Sequence, residues 1–340
     1  ILPHVEAIGE SLPAKQFGLE KPRLVSRKAA KLREQMGANS VPLGEYVDGK
    51  MYRGIITGLN EAFVIDRTTR AALIEKDLKS EEIIKPLLKG DDVRHYETHY
   101  REQYLIWTYI DIPIETYPAV FEHLKKHEKK AKKRWDKGKQ WWELRACAYY
   151  DAFEKPKIIY PDIGKSPRFY LDKSGFFSNN SSYFIALEDW YLLSVLNSEY
   201  AFEYMKSTSS VLGSEDAGGR LRFFGQFLET LPIPNASDKE KELIGNLAKE
   251  VQALHSQRRA KVEQFLVEIG SSPAASNSRN RLEKPWLLDV KEFEKRAKKY
   301  GTPDPARFKL VRDETASLSE AIAKLEGEID ARVASLYGVG

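Results

Sequence analysis

YRGIITGLNEAFVID, residues 52–66, alternates β-branched and aromatic side chains and is interrupted by Gly54 and Gly58. Alternation with a period of two marks strands half-buried on a pleated surface, and the glycines mark tight turns. With Gly44 and Gly49 upstream, residues 41–66 read as short strands and turns. Working outward, YLIWTYIDI (104–112) predicts a buried strand, and Lys157–Tyr160 and Tyr183–Leu187 predict two more. Helical patterns lie between and around them. Leu24–Met36 predicts a short helix ending near Gly37, and Glu81–Leu88 a helical turn limited by Pro86. Phe121–Lys133 predicts a basic helix, and Trp190–Met205 a helix with Leu193, Leu196 and Phe202 among its apolar positions. Strands mixed with helices in this order predict a mixed α/β (α+β) domain over 41–234.

The character changes after Pro232 and Pro234. Ser237–Ile269 predicts a long helix, with Ser237 and Glu240 in a capping-box pattern and Gly270 where a C-cap belongs. Its stripe is Leu243, Leu247, Val251 and Leu254. SSPAASNSRN (271–280) predicts a loop. Asp313–Tyr337 predicts a second helix with Leu318, Ile322, Leu325, Ile329, Val333 and Leu336 at the spacing of a coiled-coil seam. The two helices of 235–340 are expected to pack antiparallel, with Leu247 and Val251 facing Ile322 and Leu325. The segment at about 270–312 loops out at one end in this reading, without an assigned role.

Of 340 residues, 42% are hydrophobic and 31% charged, which fits a globular chain rather than a disordered one. No run approaches the roughly 20 apolar residues of a membrane span, and no secretory signal opens the sequence. No membrane association is expected. The single cysteine, Cys147, cannot make an internal disulfide and fits a reducing, cytoplasmic setting. The net charge is +4 and the pI near 8.8, so the placement of charge matters more than its sum.

A search for catalytic machinery assigns none. The polar-Pro-Pro-aromatic loop that holds an extruded base's amino group is missing, because Ile233 separates Pro232 from Pro234. A Gly-rich methyl-donor loop and a Walker-type loop are missing as well, and Gly218-Gly219 is not one. Asp162 with Asp172-Lys173 superficially resembles a nuclease set, but no residue separates acid from lysine in the second half. His95/His99 and His123/His127 could each share a helix face, yet further Cys, His or acidic ligands do not accompany them, so they read as surface histidines. No catalytic residue, metal ligand or cofactor is assigned to this chain.

Nucleic-acid binding has better support. KKHEKKAKKRWDKGK (125–139) contains Lys129, Lys133, Arg134, Lys137 and Lys139 among its basic residues, opposed only by Glu128 and Asp136. Such a strip can neutralise phosphates, although a solvated helix face is the plainer alternative. Trp141, Trp142, Arg145, Tyr149 and Tyr150 follow it and interleave aromatic with basic character. Arg53, Thr57 and Asn60 in the Gly-rich segment, and Asn179, Asn180 and Ser181 in a polar loop, are of types that read base edges. Arg168, Arg220 and Arg222 complete the candidate set.

Read together, YRGIITGLNEAFVID (52–66), EEIIKPLLKGDDVRHY (81–96), WWELRACAYYDAFEKPKIIYPDI (141–163), LLSVLNS (192–198), LPIP (231–234) and IDARVASLYGVG (329–340) resemble the TaqI-like C-terminal specificity domain. That domain follows the methyltransferase domain in adenine-specific DNA methyltransferases and Eco57I-type fused restriction-modification enzymes. The resemblance implies a DNA target-recognition domain followed by a pair of long antiparallel helices serving as a spacer. It implies double-stranded DNA as partner, and a catalytic domain, in the same polypeptide or as a separate subunit, that binds S-adenosylmethionine. Residues 1–40 then read as a lead-in from that domain. The chain alone is expected not to be an enzyme; its parent is expected to be a site-specific adenine methyltransferase, with or without endonuclease activity. The rival reading is a specificity subunit whose helices dock a separate methyltransferase or nuclease.

Overall fold

A computed structural model of the chain describes residues 27–209, 211–212, 219–223, 225–274 and 280–339. The lead-in up to residue 26, Gly218 and the centre of the 271–280 loop lie outside the described residues. Eight strands build two four-stranded sheets: β1 (Met51–Arg53), β2 (Val64–Asp66), β3 (Ile84–Leu88), β4 (Gln103–Ile106), β5 (Lys157–Pro161), β6 (Tyr170–Asp172), β7 (Phe177–Ser178) and β8 (Ser182–Ile185). The first sheet runs β6-β5-β8-β1, antiparallel throughout. The second runs β7-β3-β4-β2, with β7 parallel to β3.

Every residue of β5 is buried, because the first sheet lies between two cores. Ile158 and Tyr160 face one of them and Ile159 the other, as period-two geometry requires. A strand covered on both faces reads as a continuous apolar run, which is why Lys157–Tyr160 was legible. The core around Ile159 holds Phe63, Leu105, Phe153, Phe177 and Phe184. The core around Ile158 includes Leu192 and Leu196 and continues into Ile244, Val251, Ile322 and Val333 of the C-terminal helices. The C-terminal helices therefore share a core with the first sheet.

Five helices frame this arrangement: α1 (Arg27–Ala38), α2 (Trp190–Asn197), α3 (Asp238–Glu268), α4 (Val290–Ala297) and α5 (Pro305–Tyr337). Contacts between α3 and α5 descend in register, Glu268 with Arg307, Lys261 with Glu314, His255 with Glu326 and Glu240 with Arg332, so the pair is antiparallel. Ser237 caps α3 by accepting from Glu240 N. The fold is thus mixed α/β with a long helical C-terminal region.

Several boundaries differ from the expectations. The strand expected over 104–112 ends at Ile106, where Thr108 turns to donate its hydroxyl to Trp142 O and Asp111 adopts φ 61°. Residues 84–88 form a strand rather than a helical turn; Pro86 is tolerated because β7 pairs only with Leu87 and Leu88. The basic helix expected at 121–133 is two short pieces, Pro118–Lys125 and Glu128–Ala131. The helix expected over 190–205 breaks at Ser198, which caps a second helix, Glu199–Thr208. α5 starts at Pro305 rather than Asp313, capped by Asp304 with proline at the first helical position.

The face of α3 is also shifted. Of the expected stripe, Val251 is buried and Leu247 and Leu254 pack against the core, but Leu243 is 37% exposed; the buried face also includes Ile244, Ala248, His255, Arg259 and Val262, because α3 packs on α2 as well as α5. The segment expected to loop out instead folds over the far end of the pair. There Phe265, Phe293 and Phe308 form a third core, the last two stacked at 4.2 Å.

His255 explains how α3 grips the sheet-bearing part of the chain. Its ring lies 3.3 Å from Glu97, on the short hairpin after β3, and 3.2 Å from Glu326 of α5. His99 also pairs with Glu97, and His95 approaches Glu326 at 3.1 Å. His95 and His99, expected on the surface, thus sit in this junction. Burial opposes charge on His255, but hydrogen bonds to Glu326 and Glu97 outweigh it and raise its pKa above the ordinary 6.5. Burial likewise opposes charge on the two glutamates, and their histidine partners outweigh it; Glu97 falls well below 4.5 and Glu326 to about 2. The histidine contribution is complete below pH 6.5 and lost as pH rises through its raised folded value. The glutamate contributions are complete above pH 4.5 and lost as pH falls through their lowered folded values. Thermal stability should therefore be greatest between about pH 4.5 and 6.5 in respect of this junction and decline as pH rises through the raised His255 value. His255→Gln should flatten the alkaline limb; an identical pH profile in that variant would remove His255 from this account.

Candidate nucleic-acid interface

Arg53 ends β1, and the chain must then pass very close to the 178–182 loop. Ile55 N donates to Ser178 O at 2.7 Å and Gly54 N to Ser182 O at 2.9 Å. A Cβ on Gly54 would lie 1.9 Å from Asn179 O, so only glycine allows this approach. The exposed Arg53 guanidinium consequently lies beside Asn180, whose carbonyl accepts from Arg53 Nε at 3.4 Å. Asn179 is buried, and its side-chain oxygen accepts from both Ser181 N and Ser181 Oγ. Ser181 Oγ in turn accepts from Gly90 N at 2.9 Å. Asn179 and Ser181 shape the loop; Asn180 and Arg53 are presented by it.

Asp162 continues this surface. Its amide donates to Ser181 O, and Phe223 N donates to Asp162 O, which brings in the strand Arg220–Arg222. Burial raises the Asp162 pKa, against the pull of Arg53 and then Arg222. Arg220 is exposed and Arg222 half-buried. Arg168 lies nearby, its pKa lowered by burial against the attraction of Asp91. Arg94, which no sequence pattern singles out, is lowered by burial and then by the charge of Arg168. Arg94 and Arg168 lie close enough to repel each other, and Asp91 offsets the charge of both.

A second group sits at the other end of the Gly-rich segment. Thr57 is 4% exposed, and its hydroxyl donates to Asn60 Oδ1 at 2.6 Å. Asn60 is exposed at the start of a short helix. Arg134, expected to meet a phosphate, instead turns inward. Its guanidinium donates to Thr57 O at 2.6 Å, Trp141 O at 2.7 Å and Glu143 O at 2.9 Å, and lies over the Phe63 ring. Burial lowers its pKa to about 10, so it stays charged at neutral pH. The correction has a plain cause: only the forked guanidinium can satisfy three converging carbonyls.

The rest of the strip is exposed, and some of it is paired within the chain. Lys130 meets Glu61, Lys132 meets Glu128 and Lys139 meets Asp111. Arg145 lies 3.4 Å from Asp136, and Lys137 Nζ donates to Arg134 O. Lys126, Lys129 and Lys133 form no ion pair among the described residues. Adjacent tyrosines link the two groups: Tyr149 donates to Arg53 O and Tyr150 to Arg145 O. Trp141 and Trp142 pack with Phe121 against the core and are not available for stacking. One residue missed in the sequence, Trp135, is 96% exposed beside the strip.

Asp172 is fully buried against Lys157, with Ser174 N and Phe176 N donating to its carboxylate, so it is committed to structure. Among the described residues no group of His, Cys, Asp or Glu could hold a metal ion, and no helix is long and apolar enough to cross a membrane.

Similarity to known proteins agrees with this domain. Type II methyltransferase M.MjaIV of Methanocaldococcus jannaschii is 25% identical over 213 residues, 58% of this chain and 69% of that protein. Type II methyltransferase M.BanIII of Aneurinibacillus aneurinilyticus is 22% identical over 231 residues, 62% of this chain but 39% of that protein. The type IIL restriction-modification enzyme MmeI, solved in complex with DNA, superimposes with a TM-score of 0.50 at 14% identity, over 87% of this chain and 36% of its own. The chain thus spans only part of these proteins. The family model for the TaqI-like C-terminal specificity domain matches residues 85–233, and over that stretch the chain is similar to the domain.

Proposed function

We propose that the chain is the target-recognition part of a restriction-modification enzyme and reads sequence on double-stranded DNA for an adenine-specific methyltransferase domain or subunit. The observation that carries this reading is the Gly54 crossing, which sets an exposed Arg53 beside Asn180 on the rim of a specificity-domain fold. Arginine pairs with guanine and asparagine with adenine through two hydrogen bonds each. Arg53, Asn180, Asn60 and Arg220 are the side chains assigned to base edges; Arg145, Arg168 and Arg222 flank them. Lys129, Lys133, Lys137 and Lys139 are assigned to phosphates, which fix register without reading sequence. Methyl transfer, and S-adenosylmethionine with it, belongs in this reading to the catalytic domain, and the duplex is positioned so that an adenine can be extruded into it.

Replacing Lys126, Lys129, Lys133 and Lys137 together with alanine should weaken binding to all duplexes alike. It should also flatten the plot of log affinity against log salt by about 0.9 for each phosphate no longer neutralised, measured by anisotropy between about 50 and 200 mM salt. The wild-type slope in that variant would remove the strip from the interface.

A further inference from the structure

Trp135 is the one tryptophan of six that the fold leaves out. Trp107, Trp141 and Trp142 pack against one core, Trp190 against the second and Trp286 against the third. Trp135 is 96% exposed. The backbone that carries it is nonetheless held, because both neighbours are anchored. Arg134 is held by three carbonyls, and Asp136 contacts Arg145. Gly58, at φ +65°, lies so close that a Cβ there would meet Arg134 Cδ and Asp136 Cβ at 3.3 Å. Lys137 is bridged to Leu144 two residues on. A large flat ring is thus held outward on a tethered backbone.

We propose that Trp135 stacks on the face of a nucleobase in bound DNA, at a base step opened or kinked by the protein. The inference rests on the duplex-binding reading above. The surroundings select the partner: Lys132 and Lys133 precede the ring, and Lys137 and Lys139 follow it, all exposed. Nucleic acid supplies a π-face and phosphates together, and aromatic side chains inserted at base steps are an established means of bending a duplex.

Trp135→Ala should reduce duplex affinity about 10- to 100-fold, and Trp135→Tyr should restore most of it, since base–aromatic stacking tolerates the change of ring. Because stacking releases no counterions, the salt slope should stay at the wild-type value, which separates this loss from that of the lysine variant. Both variants should melt with the wild type, since the ring packs on nothing inside the protein. The difference in fluorescence between wild type and Trp135→Tyr should become shielded from iodide when DNA is added. Undiminished affinity of Trp135→Ala for a duplex that the wild type binds overturns the stacking role and leaves the DNA reading standing; a changed slope overturns it too, by showing that the lysines moved. Failure of the wild type to bind any duplex overturns both.

Discussion

Asp172→Ala should be the most destabilising single change in the recognition domain, costing about 3–5 kcal/mol in urea unfolding, because it leaves a buried ammonium without its counter-ion. Lys157 and Asp172 are cross-strand partners on β5 and β6, and neither side chain has any exposure. Lys157 Nζ donates to Asp172 Oδ2 and to Phe153 O, each at 2.6 Å. Burial lowers the lysine pKa, and the Asp172 charge works against that shift. Removing the carboxylate lets desolvation act alone and also strips Ser174 N and Phe176 N of their acceptor. Lys157→Met combined with Asp172→Leu should recover much of the loss, since an apolar pair of similar volume avoids the desolvation of both charges. An unfolding midpoint of Asp172→Ala equal to that of the wild type would mean that the pair is not closed in solution.

That pair also marks the limit of reading this chain by pattern. β5 was legible because a two-sided strand is apolar over consecutive residues, here Ile158–Tyr160, and α3 because Ser237 and Glu240 punctuate its start. The lysine at the head of β5 carries no signal that its partner lies fifteen residues on, across a turn. The helix seam was legible only in part, for a related reason: Val251, Ile322, Ile329 and Val333 are buried in it and Leu247, Leu254, Leu325 and Leu336 pack against it, whereas Leu243 is exposed. Leu243, Leu247 and Leu254 give the stronger stripe, but the buried face includes His255 and Arg259, which are satisfied by Glu97, Glu326 and Glu283. Hydrophobic periodicity cannot register a buried polar residue whose partner is supplied by another element. The far-end core was hidden in the same way, since Phe293 and Phe308 flank short segments and meet only in three dimensions. The candidate interface was legible in its composition and not in its geometry. Arg53, Asn60, Asn180 and Lys133 are presented outward, whereas Thr57, Asn179 and Arg134 shape the loops that present them.

Arg134→Ala tests that division. A guanidinium spent on Thr57 O, Trp141 O and Glu143 O is scaffolding in a site that is 5% exposed, and its loss takes the donor from Thr57 O and Trp141 O and leaves Glu143 O with Gly138 N alone, at 3.3 Å. Each buried unsatisfied group costs about 1–3 kcal/mol, so a loss of roughly 3 kcal/mol or more in stability is expected even with partial hydration of the site. Arg134→Lys should rescue little, because one ammonium cannot span acceptors from three separated positions, and it forfeits the flat contact with Phe63. A phosphate-binding side chain would behave in the opposite way. Alanine would then leave the melting temperature unchanged and lower the salt slope of DNA binding, and lysine would restore both affinity and slope. The two roles therefore separate in a pair of measurements on two variants, and an unchanged melting temperature in Arg134→Ala would return this residue to the interface. The result also bears on Trp135, whose outward position depends on the same anchor. If Arg134→Ala melts early, its DNA affinity should fall further than that of Trp135→Ala, because the loop then loses the ring and the neighbouring lysines together.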